Sequence, residues 1–202
     1  MKGPFVLFLA VLALWPTAFS AAQKECPAPF RGRYINEDHG YSFTVPKDYS
    51  GQWQSPCTYS EQQRDCICMG SHGLYIAITK NAGVNVVSFF SVELDEEKPS
   101  QTRILASMVA QQQEGAKELG ATFFKVESVL IKANWARRIS VRWIDNESKK
   151  AMTKVSYQFV THVYRSQWPS AELTVSLIAP EDEFETRLPL LNEILESFKW
   201  LL

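Results

Sequence analysis

The chain has 202 residues, 46% hydrophobic and 21% charged, with 21 Lys and Arg against 22 Asp and Glu. That composition is ordinary for a globular protein and argues against a disordered or fibrous chain. The formal charge of −1 offers no basic excess to attract nucleic acid or an anionic membrane, so the expected partner is a protein.

Met1 and Lys2 precede an apolar run from Pro4 to Trp15. At about a dozen residues it is shorter than the roughly 20 that span a bilayer. Small residues follow at Ala18, Ser20, Ala21 and Ala22. Residues 1–22 therefore read as a secretory signal peptide cleaved near Ser20 or Ala22, in preference to a retained anchor. Lipid attachment at Cys26 is not expected, because Gln23-Lys24-Glu25 precedes it in place of small apolar residues. Residues 23–202 suffice for one domain with its own core. The expected location is periplasmic or extracellular, with no membrane insertion after cleavage.

Four cysteines, Cys26, Cys57, Cys66 and Cys68, lie early in the mature chain. An even number in an exported protein favours disulfides. A Cys66–Cys68 bridge would close a strained ring. Two pairings remain: Cys57–Cys66 with Cys26–Cys68, or Cys57–Cys68 with Cys26–Cys66. Either one pins the N-terminal segment, residues 23–72. With His72, three of these cysteines also match the ligand types of a zinc site, but their spacing is irregular and disulfides are preferred. No metal or cofactor is assigned.

Gln23–Asn36 reads as an irregular arm. Tyr41, Phe43 and Val45 alternate with Ser42 and Thr44, a strand that Pro46 ends. Lys47–Ser71 reads as a polar excursion with one short strand near Trp53. Strands follow at Gly73–Lys80 and Val86–Leu94, the latter apolar on both faces, around a turn at Asn81-Ala82-Gly83. Asp95-Glu96-Glu97-Lys98-Pro99-Ser100 opens a helix, since acidic residues and proline suit a helix N-terminus. Ile104, Leu105, Met108, Val109, Ala116 and Leu119 keep helical spacing, and Gly120 stops it.

Thr122–Ile131 is the next strand. Three more follow at Trp135–Ile144, Thr153–Val163 and Ala171–Ala179, each with a period of two, the signature of a strand with one buried, apolar face and one wetter face; the tryptophans are expected to pack under the helices. In the first, Trp135, Ile139, Val141 and Trp143 oppose Ala136, Arg138, Ser140 and Arg142. In the second, Val155, Tyr157, Phe159 and Val163 oppose Lys154, Ser156, Gln158 and His162. In the third, Leu173, Val175 and Leu177 oppose Glu172, Thr174 and Ser176. Their short polar connections require antiparallel neighbours, so Trp135–Ala179 is an antiparallel meander. Glu181-Asp182-Glu183 starts a terminal helix. Pro189 disfavours a helical Leu188, so a short turn over 181–187 and a main helix from Pro189 to about Lys199 are expected. The fold class is α+β: a mainly antiparallel sheet layered with one long central helix and a C-terminal helix.

Gly40-Tyr41-Ser42-Phe43-Thr44-Val45-Pro46 resembles the opening strand of the PsbP-like superfamily, which includes the Mog-type Ran-binding proteins. Pro189 through Leu191-Asn192-Glu193-Ile194-Leu195-Glu196-Ser197-Phe198 resembles its terminal helix. The resemblance implies an antiparallel sheet between helices over about residues 38–200. It does not imply one activity, and the Cys57–Cys68 segment departs from it.

No nucleophile-elbow or zincin motif is present, and His39, His72 and His162 are scattered. Arg138 and Arg142, with Lys154 on the neighbouring strand, form a candidate anion- or partner-binding stripe, against the plainer reading of a solvated face. Arg137 falls among apolar residues beside Trp135 and Trp143 and needs a partner, expected to be a carboxylate on one of the helices. Asn146-Glu147-Ser148 is a glycosylation sequon in a predicted turn. The preferred reading is an exported, non-enzymatic binding or assembly module. The alternatives are a small hydrolase or ligand-binding enzyme with a pocket between sheet and C-terminal helix, and a periplasmic toxin-neutralising immunity protein.

Overall fold

The computed structural model describes residues 30–37, 39–53, 57–60, 65–68, 72–79, 82–90, 100–162 and 170–201. Its elements in chain order are β1 (Gly32–Asn36), β2 (Tyr41–Val45), β3 (Gly51–Trp53), β4 (Cys57–Ser60), β5 (Asp65–Cys68), β6 (His72–Thr79), β7 (Ala82–Phe90), α1 (Gln101–Glu118), β8 (Phe123–Ile131), β9 (Asn134–Ile144), β10 (Ala151–His162), β11 (Ser170–Pro180), α2 (Glu181–Ser197) and β12 (Lys199–Trp200). Seven strands form one sheet in the order β3-β6-β7-β11-β10-β9-β8; β1-β2-β12 form a second and β4-β5 a hairpin. Among the described residues every strand pair is antiparallel. This is the α+β arrangement expected, and the meander is β9-β10-β11, with Val155 opposite both Ser140 and Leu177.

The two helices cover opposite faces of the large sheet. On one face, Val155, Tyr157, Phe159, Leu173, Val175 and Leu177 join Val84 and Val86 in a core closed by Phe184, Leu190, Leu191, Ile194 and Leu195 of α2. The small sheet extends this core. Phe198 stacks on Phe43 at 5.2 Å and on Tyr41 at 5.8 Å. The Ser197 hydroxyl accepts from the Thr44 N–H at 2.9 Å and donates to the Ile194 carbonyl at 2.8 Å. The two segments that carry the family resemblance thus pack against each other.

On the opposite face, α1 lays Ile104, Leu105 and Met108 beside Val160, and Ala116 beside Ile139 and Val141. Ser100 caps α1 by accepting from the Arg103 N–H, with no acidic residue in the first turn. The helix thus starts later than the acidic segment predicted; residues 91–99 lie outside the described residues. Its end is a Schellman motif: Gly120, at φ +67, donates to the Lys117 carbonyl and Ala121 to that of Ala116, both at 2.9 Å.

Several expectations are corrected. The arm contains β1. The polar excursion contains β3, as expected near Trp53, and also the β4-β5 hairpin. Ala82 and Gly83 lie inside β7 instead of in a turn; a Cβ on Gly83 would fall 2.4 Å from the Tyr75 ring, so glycine lets Tyr75 lie across the strand. α2 runs unbroken through Pro189. Proline deprives only the Glu185 carbonyl of its bond, and both residues are exposed. Burial of Phe184 before it and of Leu191, Ile194 and Leu195 after it outweighs that loss. The helix stops at Ser197 because Lys199 and Trp200 pair with β2.

Candidate interaction surface

Alternation along β9 sets its odd residues toward α1 and its even residues toward α2. The assignment of buried and wet faces nevertheless differs from expectation. Ala136, on the supposedly wet side, is buried in the α2 core. Ser156 and Gln158, on the supposedly polar side of β10, are 1% and 2% exposed. They lie under α1, where the Gln158 amide donates to the Met108 carbonyl at 3.3 Å. Trp135, expected in the core, is 59% exposed, because at the hairpin end of β9 it borders an open cavity beside the first turn of α1. Leu119 is exposed too, one residue past the end of α1.

The exposed large hydrophobic residues among those described cluster. Leu119, Phe123, Val126, Leu130, Trp135 and Ile144 all fall within residues 119–144, leaving only Ile35 elsewhere. Leu130 lies directly opposite Trp135 on the paired strand, and Val126 opposite Ile139. Val126, Leu130 and Trp135 share the α1 side of the β8-β9 ribbon with Ile139, whereas Phe123, opposite Arg142, and Ile144 fall on the α2 side. Beside them, a cavity of about 300 Å³ opens between the first turn of α1 and the ribbon, lined by Gln101, Thr102, Leu105, Ser128, Trp135 and Arg137. Arg137 donates to the Ser128 hydroxyl, not to a helix carboxylate as expected. The ribbon's two-residue turn, Lys132-Ala133, has positive φ at both positions, as a type I′ hairpin requires.

The expected cationic stripe does not assemble. Arg138 and Arg142 lie on the α2 side, in a groove of about 390 Å³ that also holds Phe123, Lys125, Glu127 and Glu181. There the charges satisfy one another. Glu127 meets Lys125 and Arg138, each at 2.9 Å, and Arg142 meets Glu181 at 3.4 Å while its guanidinium sits 5.3 Å over the Phe123 ring. The hydrogen bond from Lys125, with that from Arg138, holds the Glu127 carboxyl below its usual pKa. Lys154 pairs with Val141, which sets it on the other face. Its ammonium donates to the Gln112 side chain at 2.9 Å, and burial pushes its pKa down.

One cluster escaped the sequence because its members are far apart in the chain. His39 Nδ1 lies 2.7 Å from Ser88 Oγ, which is 3.0 Å from the Tyr41 hydroxyl. Thr161 donates to the His39 carbonyl at 2.7 Å. A nucleophile must reach its substrate, yet His39 and Ser88 are both 0% exposed. Their contacts tie the β1-β2 loop to β7 and β10. The β4-β5 register places Cys57 opposite Cys68. Cys26 and the side chains of Cys57, Cys66, Cys68, His72 and His162 lie outside the described residues. Asn146 is exposed in the β9-β10 turn, where Ser148 donates to Asp145 at 2.6 Å.

No protein-family model and no curated protein matches the chain. Among solved structures it is similar to the cyanobacterial PsbP (CyanoP) of Synechocystis sp. PCC 6803, with 12% identity over 88% of this chain and 98% of that one, at a TM-score of 0.50. LpqN of Mycobacterium tuberculosis, described as involved in cell envelope biogenesis, shares 15% identity over 84% of this chain and 90% of its own, at 0.49. The Saccharomyces cerevisiae Ran-binding protein Mog1p shares 10% over 86% and 97%, at 0.44. At such identities the likeness to CyanoP speaks to architecture alone: the chain has the PsbP-like α+β fold that its two ends resemble.

Proposed function

We propose that the chain is an exported, non-enzymatic binding or assembly module that engages a protein through the α1 side of β8 and β9. The observation that carries this reading is the concentration of exposed apolar side chains there, with Leu130 and Trp135 at 56% and 59% exposure. Clustered apolar exposure beside a groove marks interaction sites. Tryptophan and arginine are the residues most often found at the energetic centre of interfaces, and here Trp135 and Arg137 line one cavity. The charged groove beneath α2 supports an enzyme less well, because Lys125, Glu127, Arg138, Arg142 and Glu181 within it are paired with one another. Export is supported by the apolar run and small residues within positions 1–22.

Replacing Trp135 with a photo-reactive amino acid, in cells that express the chain natively, tests the reading. A defined protein adduct is expected at Trp135 and none at Lys117, an exposed residue on α1. No adduct at Trp135, or the same adducts at both positions, overturns it.

A further inference from the structure

We propose that β8 pairs with β8 of a second copy of this chain, antiparallel about a twofold axis at Val126, so that two seven-stranded sheets become one. The proposal rests on the assembly reading above and names one partner for the same ribbon.

The first argument is the state of the edge. β8 ends the large sheet, and among the described residues no strand lies on its outer side. It spans nine residues, contains neither glycine nor proline, and pairs with β9 without a register shift. A long regular edge presents a row of unpaired N–H and C=O groups that templates another strand. The opposite edge is different: β3 has three residues, and Phe30 bridges to Gly51 beside it. An edge lysine ordinarily discourages pairing, but Lys125 is neutralised by Glu127 of its own strand at 2.9 Å.

The second argument is charge register. With the axis at Val126, Lys125 stands opposite Glu127 of the second copy, and Glu127 opposite its Lys125. Four alternating charges then meet at the centre. Phe123 stands opposite Val129 and Leu130 opposite Thr122, so exposed apolar residues of both faces gain neighbours. An axis at Lys125 or Glu127 would place like charges opposite each other, which disfavours pairing. An axis at Phe124 sets Lys125 against Phe123, and one at Ser128 sets Glu127 against Val129. Of these registers, only that centred on Val126 satisfies both charges. An axis perpendicular to the sheet keeps the α1 sides together, so both Leu130–Trp135 patches lie on one face of the joined sheet, on either side of the axis.

The test uses the purified protein, with mass measured by sedimentation or light scattering and folding checked by circular dichroism. The protein itself is expected at twice the monomer mass. Lys125→Glu sets four carboxylates at the centre and Glu127→Lys sets four ammonium groups; each should weaken self-association by about tenfold or more. An equimolar mixture of the two variants restores complementarity and should dimerise, as should the double exchange Lys125→Glu with Glu127→Lys. A monomeric wild type, a dimer indifferent to both single changes, or a mixture that stays monomeric overturns the proposal. Self-association is read on purified chain and the Trp135 adduct in cells, so either idea can fail without the other.

Discussion

The two faces of the large sheet carry helices of nearly equal length, 17 residues in α2 and 18 in α1, yet they bury different chemistry. Beneath α2 the contacts are aromatic and aliphatic and continue without a break into the small sheet. Beneath α1 two separate apolar clusters flank a layer of Ser156, Gln158 and Lys154. Apolar burial stabilises by about 25 cal/mol per Å², whereas a buried polar group at best recovers what it loses to desolvation. The α2 side therefore holds the fold together. The α1 side is the weaker cover: it packs on Ile139 and Val141 but leaves Val126, Leu130 and Trp135 of the β8-β9 ribbon exposed.

A paired truncation tests that contrast most severely. Leu191 is 0% exposed at the centre of the α2 core, and Met108 is 3% exposed in a small cluster. Leu191→Ala should destabilise by about 4 kcal/mol and Met108→Ala by about 2 kcal/mol, measured by denaturant unfolding. Equal or reversed costs would mean that the two faces share the load.

The strands of the meander were legible because alternation is a local signal. What alternation cannot show is which helix covers which face, since that depends on residues far away in the chain. Lys154, Ser156 and Gln158 read as solvated until α1 lies over them. Trp135 reads as core until the cavity beside the first turn of α1 leaves it open to solvent. The position of β8 at the sheet edge is likewise a long-range fact, as is the meeting of His39 with Ser88. Pro189 misled for the opposite reason: a local rule was overruled by burial on both sides of the proline. The acidic start at Glu181 and the stop at Gly120 were visible because each rests on local chemistry, and the two end segments because they follow a family pattern; that these segments pack together is again a long-range fact.

A smaller effect sharpens the comparison from the polar side. Burial holds the Lys154 amine below its ordinary pKa of 10.5, so the unfolded chain binds that proton more tightly. The resulting cost to the folded state is fully present below the folded pKa. It is relieved as pH rises from there toward 10.5, so stability contributed by this site should climb over that window. Lys154→Met keeps the apolar stem and removes the ammonium. It should stabilise the protein by about 1 kcal/mol near neutral pH and abolish the alkaline climb. A loss of stability would show that the bond to Gln112 outweighs desolvation and that the polar layer beneath α1 contributes to holding the fold.

The smallest stability effect belongs to Trp135. A residue that packs a core loses about 3–5 kcal/mol on truncation from tryptophan to alanine. A residue held for a partner loses little in the isolated chain. With 59% of its surface exposed, Trp135→Ala should shift unfolding stability by no more than about 0.5 kcal/mol. The same change should erase a protein adduct formed from a photo-reactive group at Leu130, its cross-strand neighbour. A cost of several kcal/mol with the adduct intact would reverse the assignment, making Trp135 part of the structural core and leaving the ribbon without its proposed anchor. Silence in stability combined with loss of the adduct separates the two roles within one strand: Ile139, 0% exposed beneath α1, for the fold, and Trp135 for what the fold presents.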